Sequence, residues 1–373
     1  MKLKMWLVYF TILLLLLSCN GGNTNQKQLE NQNKIDQYRT LFTISKNGKV
    51  VTISYPESKS LTIVFDSIGT NNIQRNDSIF IVSRPKKIVC TSTTFLGFLK
   101  VINETNTIVG FQNKNLVYDS VLFEKLQQNL IVDVTTPEGV NTELLMALQP
   151  DIVFMSYSPG FDKTNTIELL KKNGIVVIQI PDWLEQHPLG RMEWVRFFSL
   201  FFNKYDEANR YSDSAIAQYN SVKMKSLANS YVPKVMVGLS FNDQWYVPSG
   251  NGYFGTLLID AGCNYPFQKI TSTLSVPYSK EEVLEQCYDA DFWLNVTTAN
   301  SLNDVERIER LAPKFKAFQQ KNVFNYTKKL LPRGANDFWE MGVVEPHIIL
   351  KDLVWIISNK NNDYQPKYYQ QLQ

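Results

Sequence analysis

Histidine is almost missing from this chain: 373 residues hold only His187 and His347, each beside a proline and far apart. A bare Zn2+ or Mn2+ site normally gathers histidines with carboxylates, so no metal site and no resident cofactor are expected. Haem held by histidine is disfavoured on the same ground, although a tyrosine ligand stays open. Cysteine is scarce as well, with four residues and no CxxC pair, which removes the zinc-ribbon and thioredoxin-like readings. HExxH, GxSxG and Walker motifs are missing, so neither hydrolysis nor nucleotide chemistry has a visible carrier and no enzyme is indicated. An excess of charge is lacking too. The formal net charge is +3, two of it from Lys2 and Lys4, far below the basic field that nucleic-acid binding needs.

What the chain does have is apolar and aromatic mass, 44% and 13% of residues, enough to bury the cores of two ordinary domains. Lys2 and Lys4 precede an apolar run that ends at Leu17. The run is too short to span a bilayer and has signal-peptide proportions. Leu16-Leu17-Ser18-Cys19 resembles a bacterial lipobox, which would leave a lipidated Cys19 as the mature N-terminus and an anchor that does not cross the membrane. Residues 1–18 are then the leader, and residues 19–38, rich in Asn and Gln, a flexible tether. No acidic run follows Cys19, which favours the periplasmic side. Cys90, Cys263 and Cys287 read as small buried hydrophobes, with a Cys263–Cys287 bridge left open.

Residues 39–84 alternate like short strands, with Asn47-Gly48 as a hairpin signal, and predict a small β-subdomain. From Pro85 the pattern changes. KIVCT, TIVGF, DIVFM and IVVIQI are short, β-branched runs suited to a buried parallel sheet, separated by helical stretches near 94–102, 141–148 and 165–172. This is the βα alternation of an α/β lobe over residues 85–186. Residues 187–230 predict two helices, about 189–202 and 206–227, the second with Ala208, Tyr211, Ala215, Tyr219 and Val222 on one stripe. The alternation restarts over residues 231–373, with KVMVGLS, QWYV, FWLNV and NVFNY as strands and a final helix near 345–358. One internal echo stands out: NTELLMALQPDIVF and SKEEVLEQCYDADFWL both run cap, glutamate, helix, acidic turn, strand. Two lobes of one design, joined by a helical rod, follow from it.

KIVCTSTTFLGFL, NTELLMALQPDIV, PLGRMEWVRFFSLFF, WYVPSGNGYFGTLLIDAG, NDFWEMGVVEPHIILKDL and the terminal KYYQQL together resemble the iron-chelate and cobalamin branch of ABC-transporter substrate-binding lipoproteins, in the Bacteroides-type form. The resemblance runs from about residue 85 to 372. It implies an α/β fold of two Rossmann-like lobes joined by a long rigid interlobe helix, with the small N-terminal β-subdomain. It also implies a monomeric, membrane-anchored periplasmic lipoprotein that captures a ferric siderophore-type chelate and passes it to an inner-membrane permease and its ATPase. A corrinoid-binding protein of the same family is the alternative, with a haem binder or an enzyme on the same scaffold further off.

Glu143 and Glu281 fall at the second helical position behind the caps Asn141 and Ser279. A helix dipole favours a carboxylate there by about 0.3–1 kcal/mol, so stability alone accounts for them. The resemblance instead matches both to the family's docking glutamates, one per lobe. Glu282 has the capping-box spacing from Ser279. A cleft between two such lobes is lined by strand ends and the loops after them. Thr93, Phe95, Tyr157 and Trp183 are the candidates from the first lobe, and Trp245, Tyr253, Tyr278, Arg333 and Trp339 from the second. Aromatic walls suit a large flat chelate, and Arg333 or Arg191 could meet ligand carboxylates; Arg191 and Glu193 read first as structural, inside a helix beside its aromatic face. Gly250, Gly252 and Gly255 spell GxGxxG, but Pro248 precedes them and Asp260 follows too soon for a dinucleotide site. A flexible loop at the cleft is the expectation there.

Overall fold

The computed structural model describes residues 38–47, 50–55, 58–64, 74–75, 78–82, 84–158, 165–358 and 363–373. The leader, Cys19 and nearly all of the tether lie outside them. The first sheet holds β1 (Thr43–Asn47), β2 (Val50–Tyr55), β3 (Ser58–Val64), β4 (Gln74–Arg75) and β5 (Ser78–Val82) in the order β1-β2-β3-β5-β4. Its first hairpin pairs Asn47 with Val50, as the Asn-Gly signal predicts.

The second sheet is parallel throughout. It contains β6 (Ile88–Cys90), β7 (Ile108–Phe111), β8 (Val132–Asp133), β11 (Ile152–Ser156) and β12 (Val176–Ile180), ordered β12-β11-β6-β7-β8. Between β8 and β11 a small hairpin, β9 (Thr135–Thr136) and β10 (Gly139–Val140), crosses the surface. Helices α1 (Thr93–Val101), α2 (Ser120–Gln127), α3 (Thr142–Leu148) and α4 (Thr166–Lys172) make the crossovers. The chain starts this sheet in its centre, at β6, and winds outward both ways, so the winding reverses between β6 and β11. That is the topological switch point, where a crevice opens at the carboxyl ends of the strands.

Three helices follow: α5 (Pro188–Met192), α6 (Trp194–Phe201) and α7 (Tyr205–Leu227). One helix over 189–202 is expected from periodicity, but the structure breaks it at Glu193. The break divides its loyalties. Leu189 and Met192 enter the core of the last sheet, while Trp194, Phe197, Phe198 and Phe201 enter the core of the β6 sheet. Each such aromatic, fully buried, contributes about 1.5–3 kcal/mol over its exposed state. α7 runs 23 residues, about 35 Å at 1.5 Å per residue. Ala208, Ala215 and Tyr219 are buried on it as the stripe predicts, with Ser212 and Ser226 beside them.

The last sheet is β13 (Val235–Val237), β17 (Phe292–Leu294), β18 (Val323–Asn325) and β19 (Gln370–Gln371), the first three parallel and β19 antiparallel. A separate antiparallel sheet joins β14 (Ser240–Phe241), β15 (Gln244–Val247) and β16 (Val276–Ser279). Around them lie α8 (Tyr253–Asp260), α9 (Lys280–Cys287), α10 (Leu302–Ile308), α11 (Lys316–Gln319), α12 (Asp337–Glu340) and α13 (Pro346–Ile357).

The sequence echo has a structural counterpart. Asp151, entering β11, accepts from Lys86 N and Lys87 N at 2.7 and 3.0 Å, and its own N–H donates to Lys87 O at 2.8 Å. Asp291, entering β17, accepts from Lys234 N at 2.9 Å and donates to Lys234 O at 2.8 Å. Each acid thus fixes the start of the neighbouring founding strand, β6 in one sheet and β13 in the other.

Candidate functional site

The candidate positions gather at the carboxyl edges of the parallel strands in the β6 sheet and in the last sheet. At the first, Thr91 follows β6 and its Oγ1 accepts from Ser156 N at 2.8 Å, closing the switch point between β6 and β11. Thr93 and Tyr157 stand on either side of that bond. Trp183 comes next after β12: it is 38% exposed, and its Nε1 donates to Tyr157 O at 2.8 Å. These three expected residues therefore share one edge.

Opposite them sits an aromatic group. Tyr326, just past β18, stacks on Phe338 at 4.6 Å and meets Trp339 edge-on at 5.6 Å. Phe254 lies edge-on to both Tyr253 and Trp339. Thr93 Oγ1 donates to Trp339 O at 3.5 Å, which brings the two edges together. Tyr326 is absent from the expected set although the strand-end rule could have found it, since it closes the NVFNY run.

Arg191 occupies the meeting point. Its guanidinium carbon is 5.6 Å from the Tyr253 ring centre and 5.9 Å from that of Trp339, and Nε donates to Asp182 Oδ2 at 3.1 Å. The two Nη atoms have no hydrogen-bond partner among the described residues. Burial pushes the Asp182 carboxyl up, while Arg191 opposes the shift and the Thr94 side chain adds a hydrogen bond. Burial also pushes the Tyr253 phenol up to about 12, with Arg191 opposing, so it is a neutral hydroxyl at ordinary pH. A planar cation between two ring faces with free fork atoms can bind a carboxylate or a catecholate bidentately. Arg191 is buried on α5 and paired with Asp182, as a structural helix residue would be, and it also lies at the junction of the two edges, while Glu193 is fully buried and paired with Arg196 at 3.4 Å.

Three expectations are corrected, those for Phe95, Trp245 and Arg333, while Tyr278 keeps partial exposure as Tyr253 does. Phe95 is fully buried against Phe198 in the first core, because the third residue of α1 faces the sheet. Trp245 is fully buried too: Nε1 donates to Val237 O at 2.9 Å and the ring packs near Trp293 and Phe315. Tyr278 is half-buried with its ring 5.0 Å from Phe267. Arg333 spends its cation elsewhere, donating Nη2 to Val117 O at 2.7 Å and lying 3.8 Å over the Phe123 ring. The glycine loop is no loose flap either. A Cβ on Gly250 would stand 1.9 Å from Gln268 O, and one on Gly255 2.0 Å from Ser249 O, so close backbone packing demands both glycines.

The edges are held together by the stretch after β18. Glu340, 1% exposed, accepts from Tyr118 N at 2.6 Å and Asp119 N at 3.0 Å, and Gly97 of α1 leaves room for Glu340 O. Behind the cleft, His187 caps α5, its Nδ1 accepting from Leu189 N at 3.1 Å, and Tyr38 packs on its ring at 4.6 Å. Asp260 accepts from Tyr219 at 2.8 Å and pairs with Lys223 at 2.7 Å. Cys90, Cys263 and Cys287 are free and buried, and burial raises all three thiols, Cys287 to about 12.

Glu143 and Glu281 sit where the sequence puts them. Asn141 caps α3 through Leu144 N, and Ser279 caps α9 in a capping box with Glu282. Each glutamate is exposed in the first turn of the helix that feeds β11 or β17, so the two positions are equivalent in the two halves of the design.

A family model described as periplasmic binding protein matches residues 88–330. The chain belongs to the periplasmic binding protein family. An uncharacterized lipoprotein of Methanocaldococcus jannaschii is 24% identical, covering 89% of this chain and 83% of its own. A periplasmic heme binding protein from Pseudomonas aeruginosa superposes with a TM-score of 0.57 at 13% identity, over 78% of this chain and 99% of that one. A possible iron-binding periplasmic solute-binding protein from Staphylococcus epidermidis gives 0.55 at 13%, over 75% and 100%. An Fe3+-hydroxamate transport protein from Saccharomonospora viridis gives 0.54 at 15%, over 74% and 94%. At these identities the solved structures speak for the fold, and the family's members bind solutes.

Proposed function

We propose that this chain is the substrate-binding lipoprotein of an ABC importer, lipidated at Cys19 and held in the periplasm, and that it carries a ferric siderophore-type chelate. One observation carries the substrate class: Arg191, with neither Nη atom partnered among the described residues, near the Tyr253 and Trp339 rings at the junction of the two sheet edges. Aromatic faces take the flat organic part of a chelate, and the guanidinium takes an anionic arm. The names of two structural relatives, a possible iron-binding protein and an Fe3+-hydroxamate transport protein, run the same way. Glu143 and Glu281 are then the contacts to arginines of the permease, and no bond of the cargo is made or broken.

The test is a titration of the unlipidated mature chain, followed by tryptophan fluorescence and calorimetry. The probes are ferric complexes of a hydroxamate, a catecholate and citrate, with cyanocobalamin and haemin alongside. A ferric chelate should saturate the protein, and Arg191→Gln should weaken it at least tenfold, the loss expected for a charge-assisted hydrogen bond. Saturation by cyanocobalamin or haemin with no response to any ferric chelate would replace the chelate reading.

A further inference from the structure

The loop leaving β17 is held in a shape its sequence resists. Asn295 has φ +57° and Thr297 φ +46°. Asparagine tolerates the left-handed region, but a β-branched residue there is a genuine outlier, because its Cβ substituents crowd the backbone. Such strain persists only where the surroundings over-determine it. Here they do. Asn325, fully buried, donates its amide to Thr297 O at 3.0 Å and to Ala299 O at 2.8 Å. Tyr369 O–H donates to Asn295 Oδ1 at 2.7 Å, and Ala299 N closes a turn on Val296 O at 3.0 Å.

What this bracing presents is the Thr297 side chain. Thr297 and Thr298 are exposed, and their hydroxyls have no hydrogen-bond partner among the described residues. The loop leaves the carboxyl end of the strand lying between β13 and β18. Its brace, Asn325, immediately precedes Tyr326 of the aromatic group, so the loop and Tyr326 leave the same edge of the sheet. A glycine would satisfy this backbone without strain, and the chain keeps a threonine.

We propose that Thr297 is a ligand-contacting, specificity-determining residue of the cleft, held in a strained conformation so that its hydroxyl faces the cargo. This rests on the cleft reading above and adds to it a polar contact from the sheet edge opposite the switch point. The cargo should accordingly carry a hydrogen-bonding oxygen or nitrogen at its rim, beyond the anionic arm that meets Arg191.

The experiment compares Thr297→Gly with Lys321→Gly, since Lys321 has φ +58° at the opposite, amino end of β18. Thermal melts and titrations with the same five probes are run on both variants and the wild type. Relief of strain, partly offset by the chain entropy that glycine adds to the unfolded state, should raise the melting temperature of each variant by about 1–2 °C. Thr297→Gly should lose at least fivefold in affinity for whichever probe binds, and Lys321→Gly should keep the wild-type value. A Thr297→Gly protein that melts no higher, or that binds within twofold of wild type, overturns the proposal and leaves the cleft reading standing. If no probe binds the wild type, both fall together.

Discussion

Glu340 offers the sharpest test of how the two halves are joined. It lies in α12, after β18, yet its carboxylate oxygens accept from Tyr118 N and Asp119 N beside the β6 sheet. Burial pushes its carboxyl from the ordinary 4.5 up to about 7, aided by the nearby Asp119 and Asp337 and opposed by those two backbone bonds. In the unfolded chain the group ionises near 4.5, so between pH 4.5 and 7 the folded protein holds a proton that the unfolded chain has released. The associated stability is fully present below pH 4.5 and is lost as pH rises through about 7. At about 1.4 kcal/mol for each pH unit separating the folded and unfolded values, the loss amounts to roughly 3 kcal/mol.

Replacing Glu340 with Gln removes the titration and puts an NH2, which cannot accept, where the second carboxyl oxygen accepts even when protonated. At pH 4.5 the variant should be the less stable by about 1–3 kcal/mol, the cost of a buried N–H left without its partner. By pH 8 the wild type bears the full cost of a buried carboxylate, so the difference should move by roughly 3 kcal/mol in the variant's favour. Urea unfolding of both proteins at half-unit steps from pH 4.5 to 8 measures it. His187 complicates either protein alone: burial pushes it down to about 4. The folded chain therefore lacks a proton that the unfolded one carries between about pH 4 and 6.5, and this contribution raises stability with pH. It is common to both proteins and cancels in the difference. A difference that stays flat within about 1 kcal/mol over the whole range would refute the reasoning, because Glu340 would then ionise as an ordinary glutamate.

Two further outcomes follow from the packing and from the helix starts. Gly97→Ala would place a Cβ 2.3 Å from Glu340 O, a backbone atom, with Val343 Cγ1 also at 3.3 Å; a loss of about 1–3 kcal/mol is expected in denaturant titration, and full stability would mean that the stretch after β18 gives way freely. Charge reversal at Glu143 and Glu281 together should abolish uptake in cells while the purified protein keeps its affinity. Lost affinity in that double variant would move both residues from docking to the cleft.

Much of the fold is legible in the sequence, for a physical reason. The central parallel strands β6, β13 and β17 are continuous apolar runs, because both faces are covered. The caps Asn141 and Ser279 and the stripe on α7 are local patterns that tertiary packing reinforces. Other elements leave weaker marks. β8 and β19 are two residues each, and α11 and α12 four each, too short for any period to register. The break at Glu193 is hidden as well, since the aromatic run reads as one helix while its two ends belong to different cores.

The site is harder to read because a strand-end rule names positions and says nothing of direction. Thr93, Tyr157, Trp183, Tyr253 and Trp339 keep part of their surface exposed, while Phe95 and Trp245, equally near strand ends, turn inward and are fully buried. Residue type cannot separate them: an aromatic is as much at home in a core as on a cleft wall. For the arginines the deciding fact is what else each touches. Arg333 is engaged by Val117 O and Phe123, whereas among the described residues Arg191 has Asp182 on Nε, two ring faces and no partner for its fork. Asp182 is nine residues away from Arg191 on another element, and no spacing rule links them. A buried acid that holds the guanidinium by its Nε side leaves the outer fork aimed and desolvated. Under the proposed function, that combination makes Arg191, rather than Arg333, the charge that a ligand would meet.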